Sequence, residues 1–113
     1  MDESYAKLYG QLGSPMPSKR RLASILRRAG LAINVGQYAI RVEDCSNFVF
    51  EQFGGDLGDP VIDADADTPA DLIRDAKLVS EALVDAGIRH RFEIYRGRDE
   101  MVEYLHHNWP LNR

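Results

Sequence analysis

Cysteine is scarce in this chain: Cys45 stands alone among 113 residues. No disulfide can form within the chain, and a zinc site inside it has at most one thiolate ligand. Long apolar runs are missing as well. No stretch approaches a signal-peptide core or a membrane span, about 7 and 18 residues respectively. With the acidic start Met1-Asp2-Glu3-Ser4, this leads to the expectation of a cytoplasmic protein with no membrane partner. An excess of positive charge is also lacking, since 14 Lys and Arg against 18 Asp and Glu leave a net −4. Nucleic acid is therefore disfavoured as a partner of the whole body, although a local cationic patch can still touch phosphates.

What is present fits one soluble domain spanning residues 1–113, with 44% hydrophobic and 28% charged residues and room for one core. Its charge is unevenly spread. Residues 1–30 hold six Lys or Arg against two Asp or Glu, a net of +4, while the remainder holds eight against sixteen, a net of −8. The chain thus reads as a basic arm, 1–30, on an acidic body, 31–113.

Tyr5, Leu8, Tyr9 and Leu12 recur at helical spacing and predict a short amphipathic helix from Asp2 to Leu12, stopped at Gly13. Residues 13–17, Gly-Ser-Pro-Met-Pro, read as a linker. A second helix over Ser18–Ala29 carries Leu22, Ile25, Leu26 and Ala29 on one stripe and ends at Gly30. Segments 31–35, 38–43 and 48–53 are rich in β-branched and aromatic residues, and the last two predict a β-hairpin. Gly36 marks a bulge or a short turn. Residues 60–67 alternate apolar with acidic side chains as a half-exposed strand does. Thr68, Pro69 and Asp71 then open a long helix whose stripe is Leu72, Ile73, Ala76, Val79, Leu83 and Ala86. A strand over 88–96 completes a right-handed β-α-β crossover with its two strands parallel. Met101, Val102 and Leu105 predict a last helix from Asp99 to Asn108, ended by Trp109-Pro110. The expected architecture is α+β: a mixed sheet of four to five strands, made of the hairpin plus one β-α-β crossover, covered by helices and preceded by an N-terminal helical arm.

The row Asp63, Asp65, Asp67, Asp71 resembles the start of a calcium loop, where oxygen ligands two residues apart converge on one cation. The pattern then breaks, with Thr68 at the required glycine, Pro69 next, and Arg74 at the required bidentate glutamate. Glu103, His106 and His107 contain one Glu-x-x-His spacing, of which dinuclear sites use two copies. Cys45-Ser46 needs a base such as His90 or His106 brought close by folding. Gly54, Gly55 and Gly58 precede a strand and lack the helix N-terminus of a phosphate cradle. No catalytic constellation outweighs its structural reading, and no cofactor is implied. The favoured expectation is a small bacterial-type protein-binding module, of immunity or inhibitor type, that covers a basic partner with Asp56, Asp59, Asp63, Asp65 and Asp67. Tyr104 and Trp109 are its candidate aromatic anchors. Two rivals stay open: a metal-dependent or small-molecule-binding enzyme domain using Glu103, His106 and His107, and a structural homodimer formed through the first helix.

Overall fold

The computed structural model describes residues 5–51 and 60–109. Within them the chain forms β1 (Ala6–Leu12), α1 (Lys19–Arg28), β2 (Ile33–Val35), β3 (Ile40–Val42), β4 (Phe48–Glu51), β5 (Val61–Ala66), α2 (Pro69–Asp85), β6 (His90–Arg96) and β7 (Glu100–His107). The strands make one sheet in the order β2-β3-β4-β5-β1-β6-β7, and every neighbouring pair is antiparallel. This corrects the expected mixed sheet of four to five strands with a helical arm.

Two segments expected to be helices are strands. Residues 6–12 occupy the middle of the sheet, with Ala6, Leu8 and Leu12 buried. Their spacing misleads because four is a multiple of two: Leu8 and Leu12 share a face in a helix and in a strand alike. Residues 100–107 form the edge strand β7. Val102 and Leu105, three apart, both pack on the core because the register slips beside Ile94/Tyr95 and leaves Val102 as the extra residue of a bulge. The crossover also differs from expectation. β5 and β6 point the same way but are not neighbours, since β1 lies between them and is antiparallel to both.

The turns follow local chemistry. Gly36 N–H donates to the Ala39 carbonyl at 2.8 Å, so Gly36 belongs to a turn between β2 and β3. β3 and β4 form the expected hairpin. Thr68 caps α2 by accepting from Asp71 N–H, with Pro69 opening the helix, and Gly87 at φ +74° follows its end. Residues 13–17 are docked: Gly13 N–H donates to the Arg89 carbonyl, Arg89 Nη1 donates to the Ser14 carbonyl, and Met16 packs on the core.

The core lies on one side of the sheet, under α1 and α2. Small residues in the central strands, Gly10 of β1 and Ala64 of β5, let the larger rings of the flanking strands meet: Phe48 of β4 and Phe92 of β6 touch at 5.6 Å between centroids. α2 buries Leu72, Ala76, Val79 and Leu83 above them. No described helix is long and apolar enough to cross a membrane.

Gly10 is the tightest point of this arrangement, because a Cβ there would stand 2.9 Å from Phe92 Cδ1, 3.1 Å from Leu8 Cδ2 and 3.2 Å from Ile62 Cδ1. Gly10→Ala is expected to lower stability by about 1–3 kcal/mol. Urea unfolding reads this as a lower midpoint at constant slope; a wild-type midpoint would contradict the close approach.

Candidate functional site

Both helices cover the same side, and no described helix lies on the other face of the sheet, where Val49 of β4 is nonetheless buried. Alternation sends Lys7, Tyr9 and Gln11 of β1 to that face, and the register extends each into a row. Lys7 is followed by Tyr95 and Met101, Tyr9 by Glu93 and Tyr104, and Gln11 by Arg91 and His106. On the far side of β1, Asp65 stands opposite Lys7, while Asp63 pairs with Val49 and Val61 with Glu51. Tyr5, Tyr9, Val61 and Met101, four of the large apolar side chains left exposed, lie on this face.

The face divides into two chemical zones. Around β6, Glu93 accepts from Arg91 Nη1 at 3.2 Å and from the Tyr95 hydroxyl at 3.1 Å, and Arg91 Nε donates to Gln11 Oε1 at 2.8 Å. The Arg91 guanidinium sits 5.5 Å from the Trp109 ring centre. Tyr9 meets Tyr95 edge-on at 5.6 Å, and Tyr104 stacks on His106 at 4.8 Å. The hydrogen bond to Glu93 holds the Tyr95 hydroxyl above its ordinary pKa. Around β5 the zone is acidic. Partial burial, then Asp65 by charge and by hydrogen bond, then Asp63 and Asp67, raise the pKa of Tyr5, which places its hydroxyl in the field of all three carboxylates.

The structure therefore gathers Asp63 and Asp65, half-buried on β5, and Asp67, exposed beyond its end. Tyr104 and Trp109 share their face but not their neighbourhood: β7 is three strands from β5, about 14 Å at the usual strand spacing. The aromatic companions of the acids are Tyr5 and Tyr9, which a period-two reading of residues 5–11 would have exposed. Asp56 and Asp59 lie outside the described residues.

Other candidate chemistry is consumed by structure. On a strand, His106 and His107 face opposite sides: His106 stacks on Tyr104, while His107 approaches the buried ring of His90. Among the described residues no three His, Cys, Asp or Glu side chains converge as metal ligands. The first-helix dimer loses its element, since those residues are an inner strand. Ser46 N–H donates at 2.8 Å to Oδ2 of Asp75, a fully buried carboxylate that pins the β3–β4 turn to α2, and the Cys45 thiol donates to the Asp75 carbonyl at 3.8 Å. The other oxygen, Oδ1, lies 3.5 Å from Arg74 Nη2 without a hydrogen bond. Sequence reasoning missed Asp75, which looks like any polar residue of an amphipathic helix.

His90 is buried with both ring nitrogens engaged, 2.9 Å from the Ile88 carbonyl and 2.8 Å from Ser80 Oγ. A carbonyl only accepts, so Nδ1 carries the proton and Nε2 accepts from Ser80. This Ser–His pair has nucleophile–base spacing, but both residues are buried, and three grooves on the described surface are lined by neither. It is a core contact.

No protein-family model matches the chain, and neither a curated protein nor a solved structure similar to it was found.

Two outcomes follow from the buried groups. Burial first, then Asp75 and Asp44, push the Cys45 thiol up to about 12 against an ordinary 9.0. Native protein is expected to react with a thiol reagent roughly a thousandfold more slowly than urea-unfolded protein; equal rates would contradict the buried setting. Burial lowers the pKa of His90 from its ordinary 6.5. The unfolded chain thus takes up a proton that the folded chain refuses, and the contribution of His90 to stability is full above about pH 6.5 and lost as pH falls below it. Urea midpoints should drop between pH 7.5 and 5 by more in the native chain than in His90→Phe, and equal drops would refute this.

Proposed function

We propose that this chain is a protein-recognition module of inhibitor or immunity type whose helix-free sheet face receives a cationic segment of a partner. The observation that carries this reading is the carboxylate row Asp63, Asp65, Asp67 flanked by the exposed rings of Tyr5 and Tyr9 on a face that no described helix covers. Carboxylates attract a guanidinium or ammonium group, and a tyrosine face adds a cation–π contact of about 0.5–1 kcal/mol at an exposed site. A polyanion does not suit this face. Its cations, Lys7, Arg41 and Arg91, stand opposite Asp65, hydrogen-bonded to Asn47 and paired with Glu93 respectively, while Glu51, Asp63 and Asp65 add negative charge. Complementary fields of this kind raise association rates and specificity.

The test is titration of isotope-labelled protein with an Arg-Gly repeat peptide. Amide shifts are expected to concentrate on β5 and β1, with affinity falling as salt rises. The pair Asp63→Asn and Asp65→Asn should weaken binding about tenfold, equivalent to about 1.4 kcal/mol. Shifts scattered over the helical side, or an unchanged affinity in a folded double variant, would overturn the reading.

A further inference from the structure

The helical side of the molecule has the opposite character. Of the ten residues of α1, five are basic and none is acidic. Lys19 is spent on the Gly36 carbonyl at 2.8 Å. Arg20, Arg21, Arg27 and Arg28 are exposed and make no ion pair among the described residues. Arg27 and Arg28 suit the last turn, but Lys19, Arg20 and Arg21 crowd the first turn, where the helix dipole disfavours positive charge. α2 obeys that rule with Asp71 in its first turn. α1 breaks it, so helix stability does not explain these arginines.

Grooves flank the same helix. One of about 420 Å³ runs between α1 and α2 and is lined by Arg21, Ser24 and Arg28, with Asp85 across it. Another, of about 390 Å³, lies between α1 and β2 and is lined by Arg20 and Arg27. The helix is thus a ridge with Ser24 on its crest and a pair of arginines seven residues apart on each flank, about 10.5 Å along the axis.

We propose that α1 enters the major groove of B-form DNA, with Arg20 and Arg27 on the phosphates of one strand and Arg21 and Arg28 on those of the other. A B-form major groove is about 12 Å wide and admits one α-helix, and its two backbones would then run in the flanking grooves of the protein. The net charge of −4 does not forbid this. The carboxylate row of the sheet face lies on the far side of a molecule whose smallest extent is 27 Å, several times the screening length of about 8 Å at physiological salt, and Asp85, a carboxylate on the helical side that faces these arginines, borders one of the two grooves. The proposal is independent of the reading of the sheet face.

Fluorescence anisotropy with a labelled mixed-sequence DNA duplex of about 20 base pairs tests it. Four phosphate contacts predict a slope of log K against log salt of about −3.6. Arg20→Glu with Arg27→Glu, and Arg21→Glu with Arg28→Glu, should each cost more than tenfold in affinity. Arg20→Gln with Arg21→Gln should weaken binding while leaving the thermal midpoint unchanged or raised. Duplex RNA of the same sequence should bind at least tenfold more weakly, because its deep, narrow major groove excludes the helix. No binding at protein concentrations of about 100 µM in low salt, equal binding of duplex RNA, or full affinity in the arginine variants would overturn the proposal.

Discussion

The sheet depends on the backbone pairing of β1. Its seven residues pair along their whole length with β6 and, at the start, with β5, so one short segment joins the hairpin half of the molecule to the half that follows α2. Without it, β5 and β6 would each show an unpaired ladder, and buried backbone groups without partners cost about 1–3 kcal/mol each. The side chains of β1 serve the same end. Gly10, opposite Phe92, and Ala64, opposite Phe48, leave space in which Phe48 and Phe92 reach each other, and the core becomes continuous across strands that are not neighbours.

A second consequence is polarity of the whole molecule. Both helices lie on one face, so no described helix covers the carboxylate row, and the arginines of α1, without an ion pair among the described residues, lie on the opposite side. Charges that were adjacent in composition are segregated in space. On the sheet face Arg91 pairs with Glu93 and Lys7 stands opposite Asp65, whereas Arg20, Arg21, Arg27 and Arg28 of α1 make no ion pair among the described residues. Two surfaces of opposite sign on one small body can engage two partners of different chemistry, each over a range shorter than the thickness of the protein.

How much of this was readable depended on whether a pattern belonged to one period or to two. α2 was legible because Thr68, Pro69 and Asp71 form a start signal that no strand uses, and β5 because Asp63 and Asp65 alternate with Ile62, Ala64 and Ala66. β1 and β7 were not, because a spacing of four satisfies both a helix and a strand, and the bulge beside Ile94/Tyr95 makes Val102 and Leu105 look helical. The acidic half of the site was therefore visible as a row of residues. The aromatic anchors expected at Tyr104 and Trp109 lie strands away from the aspartates, whereas the Tyr5 hydroxyl stands in their field.

Local chemistry along the chain was sufficient to determine the helix caps, the β3–β4 hairpin, the alternation of β5 and the concentration of arginines on residues 20–28, because each arises from interactions within a few residues. Tertiary structure alone decided that residues 6–12 pair between β5 and β6, that Asp75 is buried beneath the β3–β4 turn, and which ring stands beside which carboxylate. Those outcomes rest on hydrogen bonds and contacts between segments as much as 90 residues apart in sequence, Ala6 with Arg96 among them, which no local pattern encodes.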